Sequence, residues 1–392
     1  MVMSRWKRLL EQESEHQWLA FFGFTLIIIL GSVVLDWSND LSGVRDGSVI
    51  NVDGIVKDSA GDLVLFENDA GIQLDSKFTG IDESSVTCLS EYNEFTYACT
   101  ADSGVSFIEE GNPLCENTWC KLTTNSDMTV TEISANELDS IEGSSSSNPA
   151  LLMIVQDGTS NNIALNLHDS KDSAIIFDGN GELDLDVIIP TESGWLVGGA
   201  WKAPPNWLGT NPASPPLFEL VISVEWDGQS DPIINVIHTG DEGRIHGIFE
   251  TDNGFLATGT SDTISISGDA KYAHGLGSYS AIGDKNGDVW LFSGIGSRTV
   301  AIISDGAVET EKLPDPMPLM PAFVVCDDEG MISIHGSDSS DNPKAITIDS
   351  NARQSFTSIR GILDLGFMLV SMIVIGTMLW NISDAIRKGE VF

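Results

Sequence analysis

The chain has 392 residues, 58 of them Asp or Glu and 19 Lys or Arg, for a formal net charge of −39, and 42% are hydrophobic. Apolar content of that order sustains a folded core, so wholesale disorder is excluded despite the charge. A surface this acidic repels phosphate backbones and no basic cluster offsets it, which excludes nucleic-acid binding.

Residues 1–17 form a short tail carrying Arg5, Lys7 and Arg8. The uncharged run WLAFFGFTLIIILGSVVL (Trp18–Leu35) dominates the next segment, 18–36, which reads as a transmembrane helix. As a helix that run would be about 27 Å long, close to the roughly 30 Å of a hydrocarbon core. The alternative, a cleaved signal peptide, has a shorter apolar region and a small-x-small cleavage site, and the DWSND that follows offers none. A second run, ILDLGFMLVSMIVIGTMLW (362–380), has a lone acid, Asp364, in its first turn and leads into a tail, 381–392, with Arg387 and Lys388. Basic residues outside both runs place both termini in the cytoplasm and the middle of the chain outside the cell. Gly23 and Gly31 in one run, and Gly361, Gly366, Ser371 and Gly376 in or beside the other, suit close packing of the two helices. Residues 38–358 hold 51 of the 58 acids and 13 of the 19 bases.

Between linkers at 37–46 and 351–361, residues 47–350 lack long helical periodicity. Short β-rich runs flank polar turns that end in Gly, as in GIVKDSAGDLVLFEND from Gly54, DVIIPTESGWLVGGAW from Asp186 and HGIFETDNGFLATGTSD from His246. YSAIGDKNGDVWLFSG from Tyr279 and PAFVVCDDEGMISIHGSD from Pro321 follow the same pattern. SVTCLSEYNEFTYACTAD from Ser85 and LLMIVQDGTSNNIALNLHD from Leu151 read as degenerate copies. Turn centres near 61, 94, 127, 161, 194, 227, 254, 287 and 330 mostly step by about 33 residues, a period that signals a radial array of small sheets. A pair of two-sheet sandwiches is the structural alternative. Stretches 139–150, 203–216 and 312–321, two of them proline-rich and one serine-rich, interrupt the rhythm and read as loops.

On these hairpins the segment resembles a β-propeller of the WD40-like and two-component-regulator type. GDKNGDVWLFSG is most similar, with Gly287 turning and Trp290 packing between blades, although no Gly-His and Trp-Asp signature pairs occur. The resemblance implies an all-β domain of six to seven blades at about 40 to 50 residues each. It also implies that the first and last strands share a blade, which brings the two end helices together as one stalk.

Cys88 and Cys99 straddle the YNE turn and Cys115 and Cys120 enclose a four-residue loop, so two local disulfides are expected, as suits an oxidising exterior. A four-thiolate metal site is the alternative, and it lacks the tight C-x2-C chelate at 88/99. Cys326 is left as a buried thiol. Residues 38–358 contain no N-x-S/T acceptor, which fits a prokaryotic cell-surface protein.

Catalytic motifs are missing from the sequence. The six His residues form no H-x-x-x-H pair, there is no G-x-S-x-G elbow, and carboxylate pairs are too abundant to discriminate. DGNGELDLD places Asp178, Asn180, Glu182, Asp184 and Asp186 at alternate positions, where hard oxygens can wrap Ca2+, the first four being the candidate ligands, and where a solvated strand face would look the same. Trp201 and Trp207, beside the proline-rich insertion, are the aromatic candidates for a binding surface. The expected function is a non-enzymatic, membrane-anchored binding scaffold for a membrane or envelope protein, with a glycan ligand also conceivable. The alternative is a cell-surface hydrolase acting on glycans or peptides, with structural calcium.

Overall fold

The computed structural model describes residues 15–388 apart from internal gaps, of which 123–128, 138–148 and 204–214 are the longest. It divides into two compact units, one comprising Val44–Thr310 and Asp315–Ile348, the other the chain ends with Glu311–Pro314.

The larger unit is a seven-bladed β-propeller. Its seven sheets are antiparallel meanders, and in each the first strand lies innermost. These inner strands are Ile55–Ala60, Val86–Tyr92, Thr129–Asn136, Leu183–Thr191, Ile245–Thr251, Ser280–Gly283 and Met320–Cys326, which number blades 1 to 7. Each packs against the inner strands of both neighbouring blades, the first against the last included, so the ring is closed. Closure is made by the N-terminal strand Val44–Asp46, which pairs antiparallel with Ile346–Ile348 as the outermost strand of blade 7. Thr347 Oγ1 donates to the Gly47 carbonyl at 2.8 Å across the same join. Among the described residues, blades 2 to 7 have four strands and blade 1 has three.

No blade buries its faces alone, so the core is divided among the seams between blades. Leu152, Ile154 and Ile163 of blade 3 meet Leu185, Trp195, Val197 and Ile222 of blade 4 in one seam. Phe95, Tyr97 and Val105 of blade 2 meet Ile133, Leu151 and Met153 of blade 3 in the next. Leu63, Leu65 and Leu74 of blade 1 meet Val86, Leu89 and Trp119 of blade 2. A polar lock joins blades 4 and 5: Glu219, 1% exposed, accepts from the Ser261 and Asp262 amides. A Cβ at Gly240 would strike that carboxylate, so only glycine fits there.

The hairpins show why the sequence turns where it does. In blade 6, Asp284 Oδ1 accepts from the amides of Asn286 and Asp288, and Gly287 takes a φ of +85°. Asp284 Oδ2 accepts from Trp290 Nε1 at 3.0 Å, which satisfies the indole of a fully buried side chain. Asp327 repeats the device in blade 7, accepting from the amides of Glu329 and Met331. Both expected disulfides are formed, Cys88–Cys99 across paired strands of blade 2 and Cys115–Cys120 around its outer loop. Cys326 is half-buried, not enclosed, because it ends the inner strand of blade 7 at the hairpin mouth.

The count of seven lies at the upper end of the expected range, but the 33-residue step is not the blade period. The inner hairpins of blades 1 and 2 turn near 61 and 93, whereas those of blades 3, 4 and 5 turn between strands ending at 136, 191 and 251. Long connections within blades 3 and 4 break the spacing. LLMIVQDGTSNNIALNLHD is accordingly the second and third strand of blade 3, not an inner hairpin, and the turn near 227 lies between the third and fourth strands of blade 4. The first two irregular stretches lie almost wholly outside the described residues, while in the third the loop runs from Leu313 to Leu319, Lys312 ending one strand and Met320 beginning the next.

In the smaller unit, helices α1 (Glu15–Ser38) and α2 (Ser350–Lys388) contact each other. A Cβ at Gly31 would run into the Phe367 ring, so the glycine lets the helices approach at that point. α2 takes in residues 351–361 as helix. Phe22, Leu26, Ile27, Ile29, Leu30 and Val33 are exposed on α1, as are Leu365, Met368, Val370, Met372, Ile373 and Leu379 on α2. Among the described residues, no helix is long and apolar enough to cross a membrane.

Candidate functional site: a ring of bulged inner strands

Six inner strands share a feature that regular pairing does not require. In each, one residue is skipped in the register with the second strand. The skipped residues are Lys57 in blade 1, Thr87 in blade 2, Thr131 in blade 3, Asp186 in blade 4, His246 in blade 5 and Ala322 in blade 7. Blade 6 pairs without a shift. A bulge leaves its residue unpaired and re-aims the side chain, and bulges concentrate at rims and binding sites. Here they recur on the inner strands of six blades, and five of the six skipped residues are polar or charged. Thr87 Oγ1 donates to the Val130 carbonyl at 2.7 Å, linking blade 2 to blade 3.

Around this ring the carboxylates of three blades come within electrostatic reach of each other. Asp58, next to the blade 1 bulge, accepts from its neighbour Ser59 N at 2.8 Å and from Leu89 N of blade 2 at 2.7 Å. Glu132, next to the blade 3 bulge, feels the charges of Asp58 and Asp186. Asp186 of blade 4 binds Arg244 Nη2 through Oδ2 at 2.6 Å, and Asp184 binds the same nitrogen through Oδ1 at 3.3 Å. Arg244 Nε is buried with no hydrogen-bond partner among the described residues. Asp184 and Asp186 therefore share one guanidinium, and Glu132 lies within electrostatic reach of Asp186.

Burial raises the Asp58 carboxyl to about 6, against the partial compensation of its two amide donors. Burial likewise raises Asp186 to about 6, with Arg244 pulling it down and Asp184 pushing it up. Glu132 is held well above the ordinary carboxyl range by burial first and by Asp58 next. His246, donating or accepting at Thr260 Oγ1 across 2.8 Å, is lowered to about 4 by burial and by Arg244, so it is neutral at pH 7. Such a ring can hold a cationic group, and its protonated carboxyls can donate hydrogen bonds or a proton near neutrality.

The sequence-derived site residues are distributed differently. Asp184 belongs to the ring, engaged with Arg244. Asp178 follows the outer strand of blade 3, and Glu182 is exposed just before the inner strand of blade 4. Asn180 lies outside the described residues. Among those described, no group of three or more His, Cys, Asp or Glu is arranged to hold a metal ion. Trp201 is half-buried on the second strand of blade 4, its ring 5.7 Å from that of Phe218, and Trp207 lies outside the described residues. Asp186, read with Asp184 for alternation, also belongs to the ring, whereas Asp58, Glu132 and Arg244 were not singled out by the sequence. The available signal was one extra residue between the core positions of each inner strand, as at Val56-Lys57-Asp58.

No family model and no curated protein matches the chain. Solved structures with a similar course include the WD40 β-propeller domain of Doa1, at 15% identity and TM-score 0.43, covering 80% of this chain and 98% of that one. A chain of the mitotic checkpoint complex matches at 12% identity and TM-score 0.47, covering 79% and 92%. Virginiamycin B lyase from Staphylococcus aureus matches at 11% identity and TM-score 0.46, covering 78% and 99%.

Proposed function

We propose that this chain is a membrane-anchored, non-enzymatic binding scaffold whose propeller receives a basic group of a membrane or envelope protein at the bulged ring. The observation that carries the reading is the crowding there: Glu132 lies within electrostatic reach of Asp58 and Asp186, while Arg244 is engaged by Asp184 and Asp186. A partner's Lys or Arg would relieve the repulsion that burial and crowding impose on these carboxylates.

Anchoring is supported by the two apolar runs and by the exposure of apolar side chains between Phe22 and Val33 on the part of α1 not packed against the other helix. A helix apolar all round is buried in protein or in lipid. The basic residues at both chain ends favour cytoplasmic termini and an extracellular propeller.

The test is in-situ cross-linking of the intact chain in its own membranes, followed by capture in mild detergent. The wild-type protein should retain a stoichiometric membrane or envelope partner, and a triple Asp58→Asn, Glu132→Gln, Asp186→Asn variant should lose it. Retention of the partner by the triple variant overturns the site.

One observation favours the second reading, a cell-surface hydrolase. A carboxyl raised to about 6 at Asp186, beside the ion-paired Asp184, is what a general acid requires. Turnover of glycan or peptide substrates by wild type, abolished in the triple variant, would establish it instead.

A further inference from the structure

Blade 1 ends one strand short. Its order is Ile55–Ala60, Leu63–Asn68, Gly71–Asp75, and no described residue pairs with the outer side of Gly71–Asp75. The backbone groups left open follow from the hairpin. A two-residue loop, Asp69-Ala70, joins Asn68 to its partner Gly71, so 68↔71, 66↔73 and 64↔75 are the hydrogen-bonded pairs. The N–H and C=O of Ile72 and Leu74 therefore point outward. The Gln73 side-chain amide bonds the Ile72 carbonyl at 2.9 Å, in the place where the N–H of an added strand would donate.

This edge is held firmly. Leu74 is buried and Ile72 packs with it in the seam against Val86 and Trp119 of blade 2. The chain leaving the strand is fastened to blade 2 as well: Thr79 bridges Thr118, and the Trp119 amide donates to the Thr79 carbonyl at 2.9 Å. Thr118 belongs to the loop closed by Cys115–Cys120, and Leu114, immediately before that loop, is 82% exposed. Asp69 and Asp75 stand at the two ends of the open strand.

We infer that blade 1 takes an extended segment of a partner protein as its fourth strand, antiparallel or parallel to Gly71–Asp75, by main-chain hydrogen bonds to Ile72 and Leu74. This deepens the binding-scaffold reading and rests on it. The occupant is a basic segment with alternating apolar residues. Apolar positions extend the seam face of Ile72 and Leu74, and Lys or Arg answers Asp69 and Asp75. A second copy of this chain is disfavoured, because two chains of net charge −39 would bring like-charged edges together.

The probe is a synthetic acetylated heptapeptide of alternating lysine and valine, added at millimolar concentration to the intact chain in detergent micelles. Amide exchange is read residue by residue. The Ile72 and Leu74 amides should slow by about tenfold or more, the size of a newly formed ladder bond. A peptide N-methylated at alternate residues, tested in both registers, should lose the effect in one of them. Gln73→Ala, which uncovers the Ile72 carbonyl, should strengthen it. Ile72→Pro removes an outward N–H without touching the ladder and should abolish it. Unchanged exchange at Ile72 and Leu74, or equal slowing by both methylated peptides, overturns the inference. If the partner is captured normally while this edge stays silent, the strand site falls and the scaffold reading stands. An edge that responds in a chain that captures no partner retains the strand site and removes the bulged ring.

Discussion

The raised carboxyl at Asp58 makes the propeller's stability depend on pH in a calculable way. Its folded value is about 6 against 3.8 for the free side chain, so the folded state binds the proton more tightly than the unfolded one. Stability from this group is complete below about pH 4 and is lost as pH rises through 6. Integrating the difference in proton binding from pH 5 to 7.5 gives a loss of about 1.4 kcal/mol from Asp58 alone. For a domain of this size that is about 2–3 °C in Tm. Glu132 and Asp186 act in the same direction, as does the net charge of −39, so the wild-type slope alone does not identify its source. Asp58→Asn does. It sets an amide NH2 against one of the N–H donors, Ser59 or Leu89, at a cost of about 1–3 kcal/mol that does not vary with pH and cancels from the slope. Removing the charge also relieves Glu132, which adds to the change. Urea unfolding of the full chain, followed by tryptophan fluorescence from pH 5 to 7.5, should show the variant's pH dependence shallower by at least about 1.4 kcal/mol. Parallel curves for wild type and variant would refute the buried-carboxylate account, and so would a wild type that gains stability over this range.

Trp290→Phe should lower unfolding stability by about 1–2 kcal/mol, because it strips Asp284 Oδ2 of its indole donor, and Trp290→Ala by about 3–5 kcal/mol, measured by the same titration. Under native conditions, reduction followed by alkylation and peptide mass analysis should label Cys120 and Cys115 before Cys88 and Cys99, since the second pair is fully buried in a blade seam and the first closes a surface loop. Simultaneous labelling of all four would contradict that order.

Much of the architecture was legible because it rests on local chemistry. The Asp284-Gly287-Trp290 hairpin, the Cys88–Cys99 register and the closure of the ring all follow from residues a few positions apart or from the demand that chain ends meet. The blade period was not legible. Connections of different length within blades 3 and 4 cost little free energy and leave no periodic trace, so turn spacing mixed inner and outer hairpins. The site was legible only at Asp184 and Asp186, which were picked for alternation along a strand although their partner, Arg244, lies beyond the end of the blade. Asp58, Glu132 and Asp186 lie far apart in sequence and are brought together only by the ring. The bulges that aim them are one-residue departures from alternation, indistinguishable in a single sequence from ordinary irregularity.

The join between Val44–Asp46 and Ile346–Ile348 also sets the order in which the molecule can be built. On the ribosome the first of these strands emerges about 300 residues before its mate, so six blades can condense while the seventh has only its outer strand. The last step is a loop closure spanning nearly the whole domain, which makes slow, late ring completion the expected kinetic bottleneck. Until then an open edge is exposed at each side of the gap, and a chain truncated before residue 346 could not complete its seventh blade.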